Sequence, residues 1–225
     1  MPETASLFDK IAKHYDPLNT LFSLGMDRLW RKRLADQTQG SELVLDIATG
    51  TAEVAIETSK KFKNALIIGL DPSWEMLSIG NHKVRSPKYG ERIKLIQGMA
   101  ENLPFRDGVF DSLTIAFGIR NTVDPLVSLK EMQRVLKPGG KAAILEFAIP
   151  SNTLFAPLYL FYFKNVLPLI ASVFGSKKEY KYLSESTSKF PQRSTFTDMM
   201  KEVGLTPIKS IELTMGIAII YVGSK

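Results

Sequence analysis

The sequence has no cysteine and only two histidines among its 225 residues. Without cysteine, disulfide scaffolds, thiol nucleophiles and thiolate-ligated zinc or iron–sulfur sites are excluded. Two histidines argue against a histidine-built metal site, so no metal is expected. No long apolar run opens the chain, because Glu3, Asp9 and Lys10 interrupt it, and no signal peptide is predicted. These absences favour a cytoplasmic protein whose chemistry depends on carboxylates, arginine, tyrosine, backbone groups or a cofactor.

The charge balance is basic. The chain has 29 Lys and Arg against 23 Asp and Glu, a formal net charge of +6. A positive balance favours anionic partners such as nucleic acid or an acidic membrane surface, or it serves solubility alone. The basic residues are scattered except for clusters within 28–33 and 177–181. Net charge alone therefore does not identify the partner.

Strand and helix patterns alternate between residues 41 and 147. Short apolar runs predict strands, and the segments between them predict helices. The strands are predicted at 42–47, 65–70, 93–97, 109–117 and 141–147, and the helices at 52–62, 73–82 and 125–136. Such alternation is typical of a parallel sheet with helices on both faces.

Both ends of the chain depart from this pattern. The first 40 residues predict helices that Pro17 and Gly25 interrupt, and the last 20 predict two strands joined by a tight turn, which makes the sheet mixed. We therefore expect one α/β domain in four parts. These are a helical cap at 1–40, a cofactor-binding core at 41–147, an apolar insertion at 148–195, and a terminal helix and hairpin at 196–225.

The segment from Asp46 to Glu53, DIATGTAE, has the form of a strand end, a loop of small residues and a helix start. In doubly wound folds a nucleotide-like ligand meets backbone N–H groups at this turn, and Gly50 allows close approach. Asp71 ends the next strand about 20 residues later, where a carboxylate can accept both hydroxyls of a ribose. The sequence therefore favours an adenosine-containing cofactor over a plain structural turn.

Glu53 discriminates between two such cofactors. A dinucleotide places its pyrophosphate at the helix N-terminus, and a carboxylate at that position would repel it. The same carboxylate suits the ammonium group of S-adenosylmethionine, which has a ribose diol and no phosphate. The pattern thus favours S-adenosylmethionine over NAD. Residues 98–105 follow the third strand, where an adenine would lie.

Three stretches carry a resemblance to a known family. They are YDPLN through SLGMDRLW at 15–30, AFGIRN at 116–121, and RVLKPGG through LEF at 134–147. With these motifs the chain resembles the ubiquinone/menaquinone biosynthesis C-methyltransferase family, within the class I S-adenosylmethionine-dependent methyltransferases, over nearly its whole length. The resemblance implies a Rossmann-like fold with a seven-stranded mixed sheet and a prenylated quinol as methyl acceptor. The GTA-acid form of the loop is closer to the menaquinone branch, so demethylmenaquinol is expected first and a benzoquinol intermediate of ubiquinone biosynthesis is the alternative.

The same resemblance implies cofactor contacts. Thr51 and Asp71 should bind the cofactor, Met99 and Ala100 should flank the adenine, and Ala116 should offer backbone groups beside the methionine end. The family often has Asn where Met99 stands, which leaves the adenine contact to the backbone. Taken with the loop pattern, the predicted cofactor-binding residues are Asp46, Gly50, Thr51, Glu53, Asp71, Met99, Ala100 and Ala116.

Methylation of a ring carbon needs an activated ring, and a quinol provides one when a hydroxyl loses its proton. Arg120 would stabilise the phenolate, Asn121 would orient a water or hydroxyl, and Tyr15 would close the site from the N-terminal helices. The alternative for Arg120 is a salt bridge to a carboxylate such as Asp124. His14 is more typical of a solvated helix residue than of a base. The general base is left unassigned.

The apolar stretch 154–174 is near transmembrane length, but Pro157, Lys164, Asn165 and Pro168 interrupt it. It predicts either core helices or an aromatic lid over a prenylated substrate, and we favour the lid. Its aromatic side chains and the following lysines also suit an anionic membrane surface. The residues concerned are Phe155, Tyr159, Phe161, Tyr162, Phe163, Phe174, Lys177, Lys178 and Lys181.

Two other functions compete with this interpretation. Base-amino methyltransferases of nucleic acids carry an Asn/Asp-Pro-Pro-aromatic motif after the fourth strand, and FGIR at 117–120 lacks it, so no nucleic-acid partner is expected. A non-catalytic binding module on the same fold is the other alternative, and Thr51 and Asp71 argue against a lost cofactor site. The oligomeric state stays open.

Overall fold

The structure, a computed structural model, describes residues 3–86, 88–152, 155–168 and 177–225. Its strands are β1 (Leu43–Ile47), β2 (Leu66–Asp71), β3 (Ile93–Gln97), β4 (Phe110–Ala116), β5 (Leu136–Phe147), β6 (Thr206–Leu213) and β7 (Ala218–Ser224). Its helices are α1 (Glu3–Phe22), α2 (Met26–Ala35), α3 (Glu53–Lys61), α4 (Trp74–Val84), α5 (Pro125–Val135), α6 (Phe155–Phe161), α7 (Lys177–Lys189) and α8 (Ser194–Glu202).

The strands form one sheet in the order β3-β2-β1-β4-β5-β7-β6. The first five are parallel, and β7 runs antiparallel to both β5 and β6. This confirms the predicted seven-stranded mixed sheet and its terminal hairpin. The chain order reverses between β1 and β4, and ligands of open α/β sheets bind at the carboxyl ends of strands beside such a switch point.

The sheet is buried on both faces. Along β5, Ala142 and Ile144 pack in one apolar cluster, whereas Ala143 and Leu145 pack in another. The first cluster includes residues of α5 and α8, and the second includes Trp30 of α2. Because side chains alternate faces along a strand, these two clusters are the two sides of one sheet covered by helices.

Two sequence expectations about element boundaries are wrong. Helix α1 continues through Pro17 instead of breaking there. Proline removes one helical hydrogen bond, but Pro17 and Lys13 are exposed, so water can satisfy the freed carbonyl. Strand β5 begins at Leu136, which pairs with Phe110, and the residues up to Lys141 bulge out before pairing resumes.

The predicted lid is described only in part. Helix α6 leads into a π-helical turn at Tyr162–Val166, and α7 follows after the gap. Phe174 lies outside the described residues, as do the side chains of Phe155, Phe163, Lys177, Lys178 and Lys181. None of the helices that the structure describes is long and apolar enough to cross a membrane. Within the same residues no cluster of acidic or histidine side chains is suited to a metal ion.

Candidate active site

A cavity of about 690 Å³ opens at the carboxyl edge of β1, β2 and β4. The loops after these strands form its floor, and α1 covers it from above. Its described lining residues are Phe8, Tyr15, Ala48, Gly50, Leu70, Asp71, Pro72, Ser73, Met76, Met99, Ala100, Glu101, Ala116, Phe117, Gly118, Asn121 and Thr122. Seven of the eleven predicted site residues therefore meet in one place: Tyr15, Gly50, Asp71, Met99, Ala100, Ala116 and Asn121.

Asp71 is the buried acid of this cavity. Its Oδ2 accepts the N–H of Gly50 at 2.8 Å, and its Oδ1 accepts the N–H of Ser73 at 2.8 Å. Burial raises its pKa to about 6, while the hydrogen bonds from Ser73 and Gly50 oppose that rise and the nearby Asp9 adds to it. Each carboxylate oxygen keeps a lone pair, so the group can still accept two hydroxyls.

The lining fits S-adenosylmethionine and does not fit a phosphate-bearing cofactor. Two acids, Asp71 and Glu101, border the cavity, and no lysine or arginine does among its described lining residues. That balance favours a cationic ligand. Gly50 has a φ of +55°, and a Cβ built on it meets no atom within 4 Å, so glycine leaves this wall open for a ligand.

Three predicted cofactor residues lie outside the described lining. Asp46 is buried beneath the loop, where its carboxylate accepts the hydroxyls of Thr49 at 2.6 Å and Thr114 at 2.7 Å. Burial raises its pKa to about 6, against those two hydrogen bonds. Its position at the end of β1 makes it a support for the loop.

Thr51 and Glu53 belong to a network that joins the cofactor loop to α1. The Thr51 hydroxyl donates to Asp16 at 2.8 Å, and Lys83 pairs with Asp16 at 2.6 Å and with Glu53 at 2.5 Å. Glu53 therefore faces a protein cation. Its predicted contact with a cofactor ammonium finds no support in this geometry. The network fixes the part of α1 that carries Tyr15.

Arg120 lies behind the cavity wall in a buried ion pair. Its Nη1 donates to Glu146 Oε1 at 2.6 Å and to the Phe117 carbonyl at 2.7 Å. The partner proposed from sequence, Asp124, instead caps α5. Burial raises the pKa of Glu146, and the charge of Arg120 opposes that rise. The Arg120 guanidinium also lies over the Phe147 ring, 5.3 Å from its centre.

Asn121 connects the same loop to the insertion. Its amide nitrogen donates to the Phe117 carbonyl at 2.9 Å, and its amide oxygen accepts the Tyr182 hydroxyl at 2.9 Å. Tyr182 belongs to α7, so the insertion predicted at 148–195 contacts a residue that lines the first cavity.

A second, larger cavity adjoins the first. It has a volume of about 1200 Å³. Its described lining is mostly apolar: Asn19, Phe22, Ser23, Leu24, Met26, Asp27, Trp30, Phe117, Phe147, Tyr159, Tyr162, Leu167, Thr214 and Ile217. Phe117 lines both cavities, and α1 borders both, with Tyr15 at the first and Asn19 one turn later at the second.

Sequence reasoning missed Phe117, Glu146 and Tyr182. Glu146 and Phe117 lie within the motifs LEF and AFGIRN. These motifs identified the two segments as important but did not predict which residues the two side chains contact. No sequence signal identifies Tyr182, because its role arises from a contact between residues 61 positions apart.

Solved structures define the class of this fold. A SAM-dependent methyltransferase from Thermotoga maritima aligns with a TM-score of 0.67 at 20% identity, covering 98% of this chain and 99% of its own. The [4+2]-cyclase SpnF aligns with a TM-score of 0.70 at 13% identity, covering 100% of this chain and 97% of its own. The chain therefore has the fold of S-adenosylmethionine-dependent methyltransferases, and the cyclase shows that the fold alone does not fix the reaction.

Sequence comparison defines the family. The profile described as the ubiE/COQ5 methyltransferase family matches residues 3–225. The ubiquinone/menaquinone biosynthesis C-methyltransferase UbiE of Geotalea uraniireducens is 46% identical over 222 residues, which cover 97% of this chain and 94% of that protein. The chain belongs to the ubiE/COQ5 methyltransferase family, and its cofactor is S-adenosylmethionine. When bound, that cofactor supplies a methyl group on a sulfonium.

Proposed function

We propose that this protein methylates a ring carbon of a prenylated quinol, and that demethylmenaquinol is the preferred acceptor. One observation carries the proposal within this family: the small acid-lined cavity and the large apolar cavity meet at Phe117. A sulfonium cofactor suits the first, and a ring with an isoprenoid tail suits the second. A nucleic-acid base or a small polar acceptor would leave the second cavity unused.

The chain's own residues supply position and charge in this proposal. Asp71 holds the ribose, and Met99 and Ala100 border the adenine. Tyr15 closes the cavity from α1, and Asn121 orients the acceptor hydroxyl or a water. Because only acceptor and cofactor react, proximity and orientation supply much of the rate.

Arg120 has fewer donors free for the acceptor than the sequence indicated, because it takes part in a buried ion pair. Its Nη1 donates to Glu146 and to the Phe117 carbonyl. A direct contact with the oxygen of the acceptor ring would therefore have to come from Nη2 or Nε. Its Nε is buried and has no partner among the described residues. We propose that Arg120 holds a positive charge close to the developing phenolate while its position is fixed by Glu146.

A benzoquinol intermediate of ubiquinone biosynthesis is the second candidate, because the relatives are named for both pathways. A methyl-transfer assay that offers demethylmenaquinol and a demethylated ubiquinol precursor side by side tests the choice. We expect a higher kcat/KM for the naphthoquinol. A higher value for the benzoquinol would reverse the preference, and transfer to neither would refute the proposed function.

A further inference from the structure

Phe117 has a backbone conformation that aromatic residues rarely adopt. Its φ is +56°, in the left-handed region. Such a conformation is unfavourable for a residue with a Cβ, so it persists only where the surroundings impose it. Residues held in this way cluster at functional sites, which makes Phe117 a candidate for a role of its own.

Four contacts hold Phe117 in place. Its N–H donates to the Leu145 carbonyl at 2.8 Å. Its carbonyl accepts Nη1 of Arg120 and the amide of Asn121. Its ring stacks on Phe147 with centres 4.3 Å apart and an angle of 27°. The N–H, the carbonyl and one face of the ring of Phe117 are thus all held by neighbouring residues.

Gly118, the next residue, allows the loop after β4 to pack closely against the loop after β1. A Cβ on Gly118 would lie 2.5 Å from the Cβ of Ala48, too close for any residue other than glycine. Ala48 and Gly118 both line the first cavity, and Phe117 lines both cavities. Phe117 therefore lies at the boundary between the two cavities, which a methyl group would cross in the proposed reaction.

We propose that the Phe117 ring is the surface against which the acceptor ring packs, and that it sets the preference for two-ring over one-ring quinols. The inference rests on the proposed function and names the residue that orients its substrate. Aromatic rings pack favourably in offset or edge contacts, and a naphthalene ring offers more area than a benzene ring. In addition to the roles proposed above, Arg120 and Asn121 hold the Phe117 backbone in place, because both donate to its carbonyl.

Phe117→Gly removes the ring and is compatible with the backbone conformation, because glycine adopts a positive φ readily. Phe117→Leu is a second variant that keeps apolar volume. Phe147→Leu is the matched control, since Phe147 belongs to the same stack but lines only the second cavity among the described lining residues. Unfolding midpoints establish that each variant is folded.

Binding gives a measurement that is independent of turnover. Trp30 lines the second cavity with its ring 6.1 Å from Phe117, so a quinone bound there should quench its fluorescence. Trp74 is exposed, and a Trp74→Phe background removes its signal. We expect menadione to bind about tenfold more weakly to Phe117→Gly, while the Kd for S-adenosylmethionine stays within about twofold.

Specificity gives the second measurement. For Phe117→Gly we expect the ratio of kcat/KM for the naphthoquinol to that for the benzoquinol to fall about fivefold or more, and for Phe147→Leu to change less. Arg120→Lys should shift the ratio in the same direction by a smaller factor. An unchanged ratio and unchanged menadione binding in Phe117→Gly would overturn the inference, as would an equal shift in Phe147→Leu. A wild type that binds menadione through Phe117 but methylates no quinol would refute the proposed function alone.

Discussion

Asp71 shows how the fold prepares one buried carboxylate for the cofactor contact proposed above. Burial opposes its ionisation, and the N–H groups of Gly50 and Ser73 recover part of that loss. The same two N–H groups fix the carboxylate plane, so in the proposed site its free lone pairs would be aimed before a ribose arrives. Preorganisation of this kind strengthens binding because little ordering is left to the moment of association.

Replacing Asp71 with alanine should weaken S-adenosylmethionine binding by about tenfold to a hundredfold, since a charge-assisted acceptor is worth about 1.5–3 kcal/mol. Calorimetry measures this directly. Asp198→Ala is the control, because it removes the same charge from an exposed ion pair on α8. Equal affinities in the two variants, both folded, would reject Asp71 as the ribose acceptor.

Cofactor affinity should also depend on pH. The pKa of Asp71 is raised to about 6, so its carboxylate is protonated below that value and loses its capacity to accept both hydroxyls. Affinity should therefore rise as pH increases through about 6 and be about tenfold weaker at pH 5 than at pH 8. Asp46 has a similar pKa, so Asp46→Asn is the control. If this variant keeps the pH dependence of the affinity, the dependence is due to Asp71. A Kd that is flat from pH 5 to 8 would contradict it.

The stability of the apoprotein should have the opposite dependence. For Asp46 and Asp71 the folded-state pKa lies above the unfolded value, so folding is favoured by proton uptake below about pH 6. The contribution is fully present at low pH and is lost as pH rises through about 6. Cofactor binding and apoprotein stability thus respond to the same proton in opposite directions.

Single residues were partly predictable from the sequence. Gly50 and Asp71 follow from a strand–loop–helix pattern whose geometry is local, whereas Met99, Ala100 and Ala116 were implied by the family resemblance. All five line the cavity. The partners of Glu53 and Arg120 come from distant segments, Lys83 and Glu146. Pairing between segments far apart in sequence depends on the completed fold, which a motif does not encode.

At the scale of elements, the loop after β4 depends on one buried ion pair. Arg120→Ala leaves Glu146 without its cation in a fully buried position, and breaking such a pair costs about 3–5 kcal/mol. We therefore expect both a lower free energy of unfolding, measured in urea, and a turnover that falls far more than cofactor affinity does. Arg120→Ala combined with Glu146→Gln should recover part of the stability. If the single variant is as stable as wild type, the pair does not hold the loop.

The position of α1 depends on a network of polar contacts that is more exposed than the Arg120–Glu146 pair. Asp16→Asn weakens the links to Thr51 and Lys83, which join α1 to the cofactor loop. Asp16 and Lys83 are only half-buried, and pairs close to solvent contribute about 1 kcal/mol, so stability should change little. The dissociation rate of S-adenosylmethionine should rise about threefold to fivefold, because α1 covers the cavity. Lys60→Ala, which breaks an exposed pair within α3, should leave that rate unchanged. Stopped-flow release distinguishes the two.

Elements were more predictable than their exact ends. The helix predicted at 73–82 begins with Ser73, a residue type that favours the capping position, and the Ser73 hydroxyl accepts the Met76 N–H at 3.1 Å. Capping is decided within four residues, so sequence suffices. The start of β5 at Leu136 was missed because a Lys-Pro-Gly-Gly segment indicates a turn, whereas the pairing of Leu136 with Phe110 depends on β4.

For the whole molecule, the large apolar cavity raises the question of how a water-insoluble tail reaches it. Three large apolar side chains are exposed beside it on separate elements: Leu24 at 74%, Phe161 at 61% and Met215 at 61%. Leu24 lines the cavity, Phe161 precedes Tyr162, and Met215 follows Thr214, both of which line it. We expect this apolar rim to contact the lipid surface from which the substrate is taken.

The exposed Arg28 lies on α2, four residues after Leu24 in the sequence, and the protein carries a net charge of +6. Each basic residue near an anionic surface adds about 1 kcal/mol, an attraction that salt screens. Cosedimentation should therefore show weak binding to anionic vesicles, less to neutral ones, and a loss with added salt. Leu24→Ser, Phe161→Ser and Met215→Ser should each lower binding and slow methylation of long-chain quinols more than of short-chain ones. Leu66→Ser, a matched change at the amino end of β2, should alter neither. Equal losses on both chain lengths, without vesicle binding by the wild type, would mean that these side chains serve packing alone.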